Sequence, residues 1–162
     1  MLPAFAYAMV FLFGSILTTI LFPQLLPERF HFNTQQVGLQ FIGLVIGSVL
    51  GEQIGGWASD HWMLLRSRKT QASPAPEYRL WLSYIGYALT ICGVWVFLVQ
   101  IEGIKTYDVT PIVGAAIAAA GNQIVTTVLI TYAVDRYRHD AASVGVFITF
   151  VRQIWGFIGP FW

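Results

Sequence analysis

The chain has 162 residues, of which 56% are hydrophobic and only 10% are charged, and its formal net charge is +1. An ordinary soluble domain carries about 25% charged residues, so this chain has too little charge to cover a surface in water. The balanced charge gives no indication of a nucleic-acid partner, and the composition predicts an integral protein of the lipid bilayer.

Five apolar stretches are each long enough to cross a hydrocarbon layer about 30 Å thick. They cover residues 2–22, 36–58, 80–100, 112–134 and 141–162. Lipid tolerates only segments that satisfy their own backbone hydrogen bonds, and no alternating strand pattern occurs, so all five are predicted to be helices. The sequence therefore predicts an all-α, multi-pass membrane protein with one transmembrane domain.

Basic residues favour two of the loops. Six of them lie in the second loop, residues 59–79, and the fourth loop, residues 135–140: Arg66, Arg68, Lys69, Arg79, Arg136 and Arg138. The first and third loops hold one each, Arg29 and Lys105. By the positive-inside rule, loops two and four are predicted to be cytoplasmic, with the amino terminus inside and the carboxyl terminus outside.

The first stretch could be mistaken for a cleaved signal peptide. It lacks a basic leader after Met1, however, and its apolar run is longer than a typical cleaved core. We expect a retained helix that ends at Pro23 and Pro27.

The second span contains a glycine ladder, which we define as Gly43, Gly47, Gly51 and Gly55. Glycine costs helix stability in water, but in lipid the missing side chain lets a neighbouring helix approach closely. Because four residues turn an α-helix by about 400°, the row drifts by about 40° per step. The ladder therefore predicts close packing against a helix that crosses at an angle.

The third span is rich in aromatic and β-branched residues and poor in strongly polar ones. It is predicted to lie at the edge of the bundle, facing lipid, with Trp81 and Tyr84 at the membrane interface. Cys92, the one cysteine, lies in the middle of this span and gives no indication of redox chemistry.

The fourth and fifth spans each have a polar face. In the fourth span it consists of Asn122, Gln123, Thr126, Thr127 and Thr131. In the fifth span it consists of Gly145, Thr149, Arg152, Gln153 and Gly156. Asn122 is predicted to line a cavity, whereas the threonines fit either a cavity lining or hydrogen bonds between helices.

Two charged residues are predicted to lie within the membrane. Arg152 lies about 18 Å along the fifth helix from Asp140, where an arginine costs ~3 kcal/mol or more unless an acid, backbone carbonyls or a wet cavity receives it. Glu52 lies about 12 Å from Asp60, deep enough to be partly desolvated and to exchange protons. The alternative for each is structural: an ion pair that locks two helices for Arg152, and hydrogen bonding near the cytoplasmic surface for Glu52.

No pattern of an enzyme site occurs in the sequence. His31, His61 and His139 form no metal-ligand spacing, and the motifs of nucleophile elbows, dinucleotide sites and phosphate loops are absent. We therefore expect no catalytic activity, no cofactor and no metal ion.

The end of the second span reads Gly56-Trp-Ala-Ser-Asp60 and is followed by Arg66 and Arg68. Later segments read Pro-Glu-Tyr-Arg-Leu-Trp before the third span, Gly-Asn-Gln in the fourth, and Phe-Val-Arg-Gln in the fifth. Together they resemble transporters of the major facilitator superfamily found in fungi, whose signature loop has a glycine, three residues, an aspartate and then basic residues. The chain departs from that signature at His61, where an arginine is common, and in the longer spacing to the basic cluster.

The resemblance covers nearly the whole chain but only helices seven to eleven of the twelve in a full transporter. It therefore implies a truncated carboxyl-terminal half whose partner, the amino-terminal half, is missing. A complete carrier of this family rocks its two halves around a central site for a small organic solute. The polar faces and the charges at membrane depth supply candidates for solute binding or coupling, which are Arg152, Asn122, Gln153 and Thr126, and Glu52 is the candidate for protonation or closure.

The family's signature aspartate stabilises closure of the cytoplasmic side by meeting the positive end of a helix in the other half. The resemblance thus implies that Asp60 is a conformational latch, in a gating loop that includes Gly56, Arg66 and Arg68. Proton coupling and a place in the plasma membrane are the accompanying expectations. The alternative is a non-transporting protein that only inserts into the bilayer or associates with other transmembrane helices.

Overall fold

A computed structural model describes residues 24, 33–70, 76–103 and 110–158, and within these ranges it contains helices and no strands. The helices described from residue 33 onward are α1 (Thr34–Thr70), α2 (Leu80–Gly103), α3 (Thr110–Arg136) and α4 (Ala141–Ile158). Short 3₁₀ turns, Pro76–Arg79 and Arg138–Asp140, lead into α2 and α4. The predicted all-α fold class is confirmed, while the first predicted span, residues 2–22, lies outside the described residues.

Three of these helices are long and apolar enough to cross a membrane, over Thr34–Arg68, Glu77–Gln100 and Thr110–Arg136. A shorter apolar helix covers Ala141–Ile154. The predicted spans two to five therefore correspond to α1 to α4 in chain order.

Helix α1 is longer than the sequence predicts. It has 37 residues, or about 55 Å at 1.5 Å per residue, so it exceeds a hydrocarbon core of about 30 Å. At its start Gln36 Oε1 accepts the Asn33 N–H over 3.1 Å, which satisfies one of the free donors of the first turn. The segment 59–70, predicted as loop, is helical because it contains neither glycine nor proline.

The glycine ladder of α1 packs against α3. A Cβ built on Gly47 or Gly51 would overlap the backbone of Ala116 or Ala120, and one on Gly55 would lie 3.1 Å from Ile124 Cα. Each step of four residues along α1 is matched by a step of four along α3 in the same direction. The two helices therefore run parallel, with their backbones in direct contact.

Helix α2 packs against another side of α3, again through glycines. A Cβ on Gly114 of α3 would lie 2.9 Å from the backbone nitrogen of Phe97, and one on Gly121 would lie 2.6 Å from that of Thr90. From Gly114 to Gly121 the residue number rises along α3, while it falls from Phe97 to Thr90 along α2. These two helices are therefore antiparallel. Helix α3 is thus packed between α1 and α2, and the segments 59–70, 76–79 and 135–140 lie at the same end of the bundle.

The outer face of α2 is exposed along its length at Trp81, Tyr84, Ile91 and Trp95. These residues recur at helical spacing, so they form one apolar stripe pointing away from α3. This exposure is compatible with the predicted position of the helix at the edge of the bundle, and its contact with lipid stays a prediction.

Replacement of Gly51 by alanine is expected to destabilise the bundle. In an open helix alanine is better than glycine by about 1 kcal/mol, but the new methyl group would overlap the Ala120 backbone, which cannot move aside like a flexible side chain. Overpacking typically costs about 1–3 kcal/mol, so the clash outweighs the helical gain. Thermal unfolding of the purified chain in detergent, followed by circular dichroism, measures the difference.

The matched control is Gly56→Ala, because a Cβ at Gly56 meets nothing within 4 Å. This variant should unfold at the same temperature as the original chain or slightly higher. Equal melting temperatures for the Gly51 and Gly56 variants would contradict the packing described.

Candidate functional site

The described residues bring three charged side chains together at one end of the bundle. Asp60 lies in α1, Arg79 ends the 3₁₀ turn before α2, and Asp135 is in the last turn of α3. Arg79 Nη2 is 3.5 Å from Asp60 Oδ1 and 3.5 Å from Asp135 Oδ2. We call these three residues the charge cluster.

The members of the charge cluster differ in burial. The side chain of Arg79 is only 13% exposed, whereas that of Asp135 is 30% and that of Asp60 is 72% exposed. A guanidinium removed from water needs a nearby anion, and Asp135 is the more sheltered of the two available. The Asp60 contact is largely exposed and is therefore the weaker and more readily exchanged pair.

A second contact joins the same segments nearby. Arg66 Nη2 donates a hydrogen bond to Tyr78 Oη over 2.7 Å, and the Arg66 guanidinium lies 4.5 Å from the centre of the Tyr78 ring. The hydrogen bond and the cation–π contact both connect α1 beyond Asp60 with the turn that leads into α2. Arg66 and Asp60 of the predicted gating loop are thus each paired with a residue of the segment before α2.

The sequence prediction named Asp60 but not its partners. In the described residues Asp60 pairs with Arg79 of the same bundle, and the expected contact with the amino-terminal half of a transporter stays a prediction. Arg79 and Asp135 were missed as site residues because each reads as an ordinary charge at a helix end. One signal in the sequence could have found them. Arg79 directly precedes one span and Asp135 ends the next, so both lie at the same end of the bundle as Asp60.

The predicted membrane-depth residues Glu52 and Asn122 lie on the two parallel helices. Gln53 and Asn122 are each midway between the contacts Gly51–Ala120 and Gly55–Ile124, so Glu52 is at nearly the same depth as Asn122. Glu52 is exposed and makes no ion pair within the described ranges, whereas Asn122 is 2% exposed. One side chain is thus on the bundle surface and the other inside it.

The hydroxyl groups of the polar faces bond mostly within their own helices. Thr126 Oγ1 donates to the Asn122 carbonyl over 2.8 Å, and Thr149 Oγ1 donates to the Gly145 carbonyl over 2.9 Å. On α4, Arg152 is half-buried and Gln153 is exposed. The roles of these residues in a site stay predictions.

Comparison with known proteins finds relatives that are named as transporters. The MFS-type transporter tndD of Aspergillus flavipes is 30% identical over 143 residues, which cover 86% of this chain and 26% of the relative. The probable drug/proton antiporter YHK8 of Saccharomyces cerevisiae is 27% identical over 143 residues, with 87% of this chain and 27% of the relative covered.

The efflux pump atB of Aspergillus terreus is 28% identical over 161 residues, which cover 92% of this chain and 33% of the relative. The chain thus spans about a quarter to a third of the length of the curated relatives it matches. No family model and no solved structure matches the chain.

Replacement of the shared cation is expected to cost more stability than removal of either acid. In Arg79→Gln, the carboxylates of Asp60 and Asp135 lose the cation between them. Each has an oxygen 3.5 Å from Arg79 Nη2, so the two negative charges are left close together. We expect a loss of roughly 1–3 kcal/mol, below that of a fully buried pair because both acids reach water, and less than about 1 kcal/mol for Asp60→Asn. Thermal unfolding in detergent gives the order.

Asp135→Asn should fall between these two variants. A double variant, Asp60→Asn with Asp135→Asn, isolates the arginine without an anion and tests whether the three residues act together. Loss in Asp60→Asn equal to that in Arg79→Gln would contradict the unequal burial of the two acids.

Proposed function

We propose that this chain, which belongs to the major facilitator superfamily, forms part of a secondary active transporter that moves a small organic solute across a membrane. The observation that carries the proposal is the extent of the similarity, since relatives named as transporters match 86% to 97% of the chain. The apolar helices α1, α2 and α3 support the placement in a bilayer.

The transport unit that we propose contains further helices beyond those of this chain, because the relatives are about three to four times longer than the region that matches. Its mechanism is alternating access, in which two helical bundles rock around a central site. The solute and the proton would bias the inward and outward states through their unequal affinities for them.

Solute binding is assigned in this proposal to the polar side chains at membrane depth. Asn122 and Arg152 offer amide and guanidinium donors, and Gln153 and Thr126 lie one position or one turn along the same helices. The proposal places Glu52 as the proton carrier, because a carboxyl group at this depth is costly when charged. The proton is proposed as the coupling ion because one relative is named a probable drug/proton antiporter.

Gating is assigned to the charge cluster. Asp135 keeps Arg79 neutralised through the transport cycle, while the exposed Asp60 exchanges its contact when the end of α1 moves relative to α3. An ion pair with one partner in water suits a latch, because little free energy is needed to open it. The plasma membrane is the location that we propose for the transporter.

Solute uptake should lose its dependence on the proton gradient when Glu52 is replaced by glutamine. The measurement uses vesicles that contain the product of the complete reading frame in which this sequence occurs. Uptake is compared with the outside acidic, with the inside acidic, and with no proton gradient. Glu52→Gln should retain exchange of solute down its own gradient but lose gradient-driven accumulation, since the amide cannot take up a proton. Arg152→Ala should abolish both.

Glu77→Gln is the matched control, because Glu77 is exposed in the 3₁₀ turn before α2, outside the apolar core. Unchanged gradient-driven uptake in Glu52→Gln would remove this residue from coupling. Absence of uptake for every solute tested with the complete protein would favour the alternative of a membrane protein that only inserts or associates with other helices.

The latch role of Asp60 predicts easier opening of the bundle at the charge cluster. In a Cys92→Ser background with Thr126→Cys, an impermeant thiol reagent added on the side of the charge cluster should label the cysteine faster when Asp60 is also changed to asparagine. An exposed pair contributes ~0.2–1 kcal/mol, which limits the increase to about fivefold. Labelling at an unchanged rate would argue against the latch.

A further inference from the structure

Helix α1 continues past the charge cluster as a helical segment, residues 61–70, which we call the α1 extension. It is about 15 Å long at 1.5 Å per residue. The apolar stretch of residues 36–58 ends two residues before Asp60, and charged groups avoid the hydrocarbon core, so the edge of the core lies near this residue. The α1 extension therefore begins at the depth of the lipid headgroups.

The α1 extension is held beside the membrane end of α2. Arg66 donates its hydrogen bond to the Tyr78 hydroxyl, and Tyr78 is two residues before Leu80, where α2 begins. Trp81, in the first turn of α2, is 66% exposed at the position expected for an aromatic residue of the interface. The hydrogen bond to Tyr78 therefore holds Arg66 close to the membrane boundary.

The surface of the α1 extension combines apolar and basic side chains. Trp62, Leu64 and Leu65 are 48%, 59% and 46% exposed, and Arg66 and Arg68 are exposed among them. The sequence contains no acidic residue between Asp60 and Glu77. A helix end surrounded by water gains nothing from three large exposed apolar residues, whereas the boundary between headgroups and acyl chains receives both kinds of side chain.

We propose that the α1 extension binds anionic phospholipid in the leaflet at this end of the bundle. Arg68 and Arg66 contact the phosphate and headgroup anions, and Trp62, Leu64 and Leu65 rest on the upper acyl chains and glycerol. The charge of the segment complements a leaflet that contains anionic lipid, and its apolar residues require a lipid surface rather than a free anion.

The test uses a fluorescent bimane label on Ser67→Cys in a Cys92→Ser background, with the full chain reconstituted into vesicles. Brominated phosphatidylserine, mixed at increasing fraction into phosphatidylcholine, should quench the label more strongly than brominated phosphatidylcholine at the same fraction. Arg68→Gln should raise the phosphatidylserine fraction needed for half-quenching about fivefold, the contribution expected of one basic residue at an anionic surface.

Two variants control for charge and folding. Arg136→Gln removes the same charge at the same end of the bundle but from α3, and it should leave half-quenching unchanged. Arg68→Lys keeps the charge and should retain the preference for phosphatidylserine, and each variant is compared only if circular dichroism shows unchanged helix content.

Three results would overturn the proposal. Equal quenching by the two brominated lipids would show that the segment has no preference for an anionic headgroup. Absence of quenching by either lipid would place the α1 extension in water. Loss of the preference on addition of soluble glycerophosphoserine would identify a site for a free phosphate anion instead of a lipid surface.

Discussion

Direct backbone contact around α3 is the constraint on which the rest of this structure depends. Lipid surrounds a helix as favourably as another apolar helix does, so association in the bilayer relies on close van der Waals packing. Gly47 and Gly51 of α1 reach the backbone of α3 from one side, and Gly114 and Gly121 of α3 reach the backbone of α2 on another. A larger side chain at these positions would push the helices apart and weaken the packing that holds them together.

The same contacts set the direction and register of the helices, and through them the location of the charges. Parallel packing of α1 on α3 and antiparallel packing of α2 bring Asp60, Arg79 and Asp135 to one end. A largely buried arginine between two acids of unequal exposure follows from that arrangement. In the proposed gating the sheltered pair holds the bundle together and the exposed pair exchanges, so the proposal links packing in the membrane to gating at its surface.

Polar groups within the apolar helices fall into two kinds. Hydroxyl groups such as those of Thr90, Thr126 and Thr149 donate to a carbonyl of the preceding turn, which satisfies them without a partner helix. Amide, carboxyl and guanidinium groups have more donors or acceptors than one turn of helix can satisfy. The proposed transport site therefore depends on Glu52, Asn122 and Arg152 more than on the threonines that share their faces.

The sequence by itself determined the fold class and the family, because low charge, long apolar stretches and the motif around Gly56 and Asp60 are local properties that need no partner to be recognised. It could not determine where α1 ends. In segment 59–70 the polar composition predicts a loop, whereas the lack of glycine and proline allows the helix to continue. Only the tertiary structure decided that α3 lies between α1 and α2 and that Arg79 joins two aspartates. These facts depend on register, and register is set by glycine contacts between segments far apart in the chain.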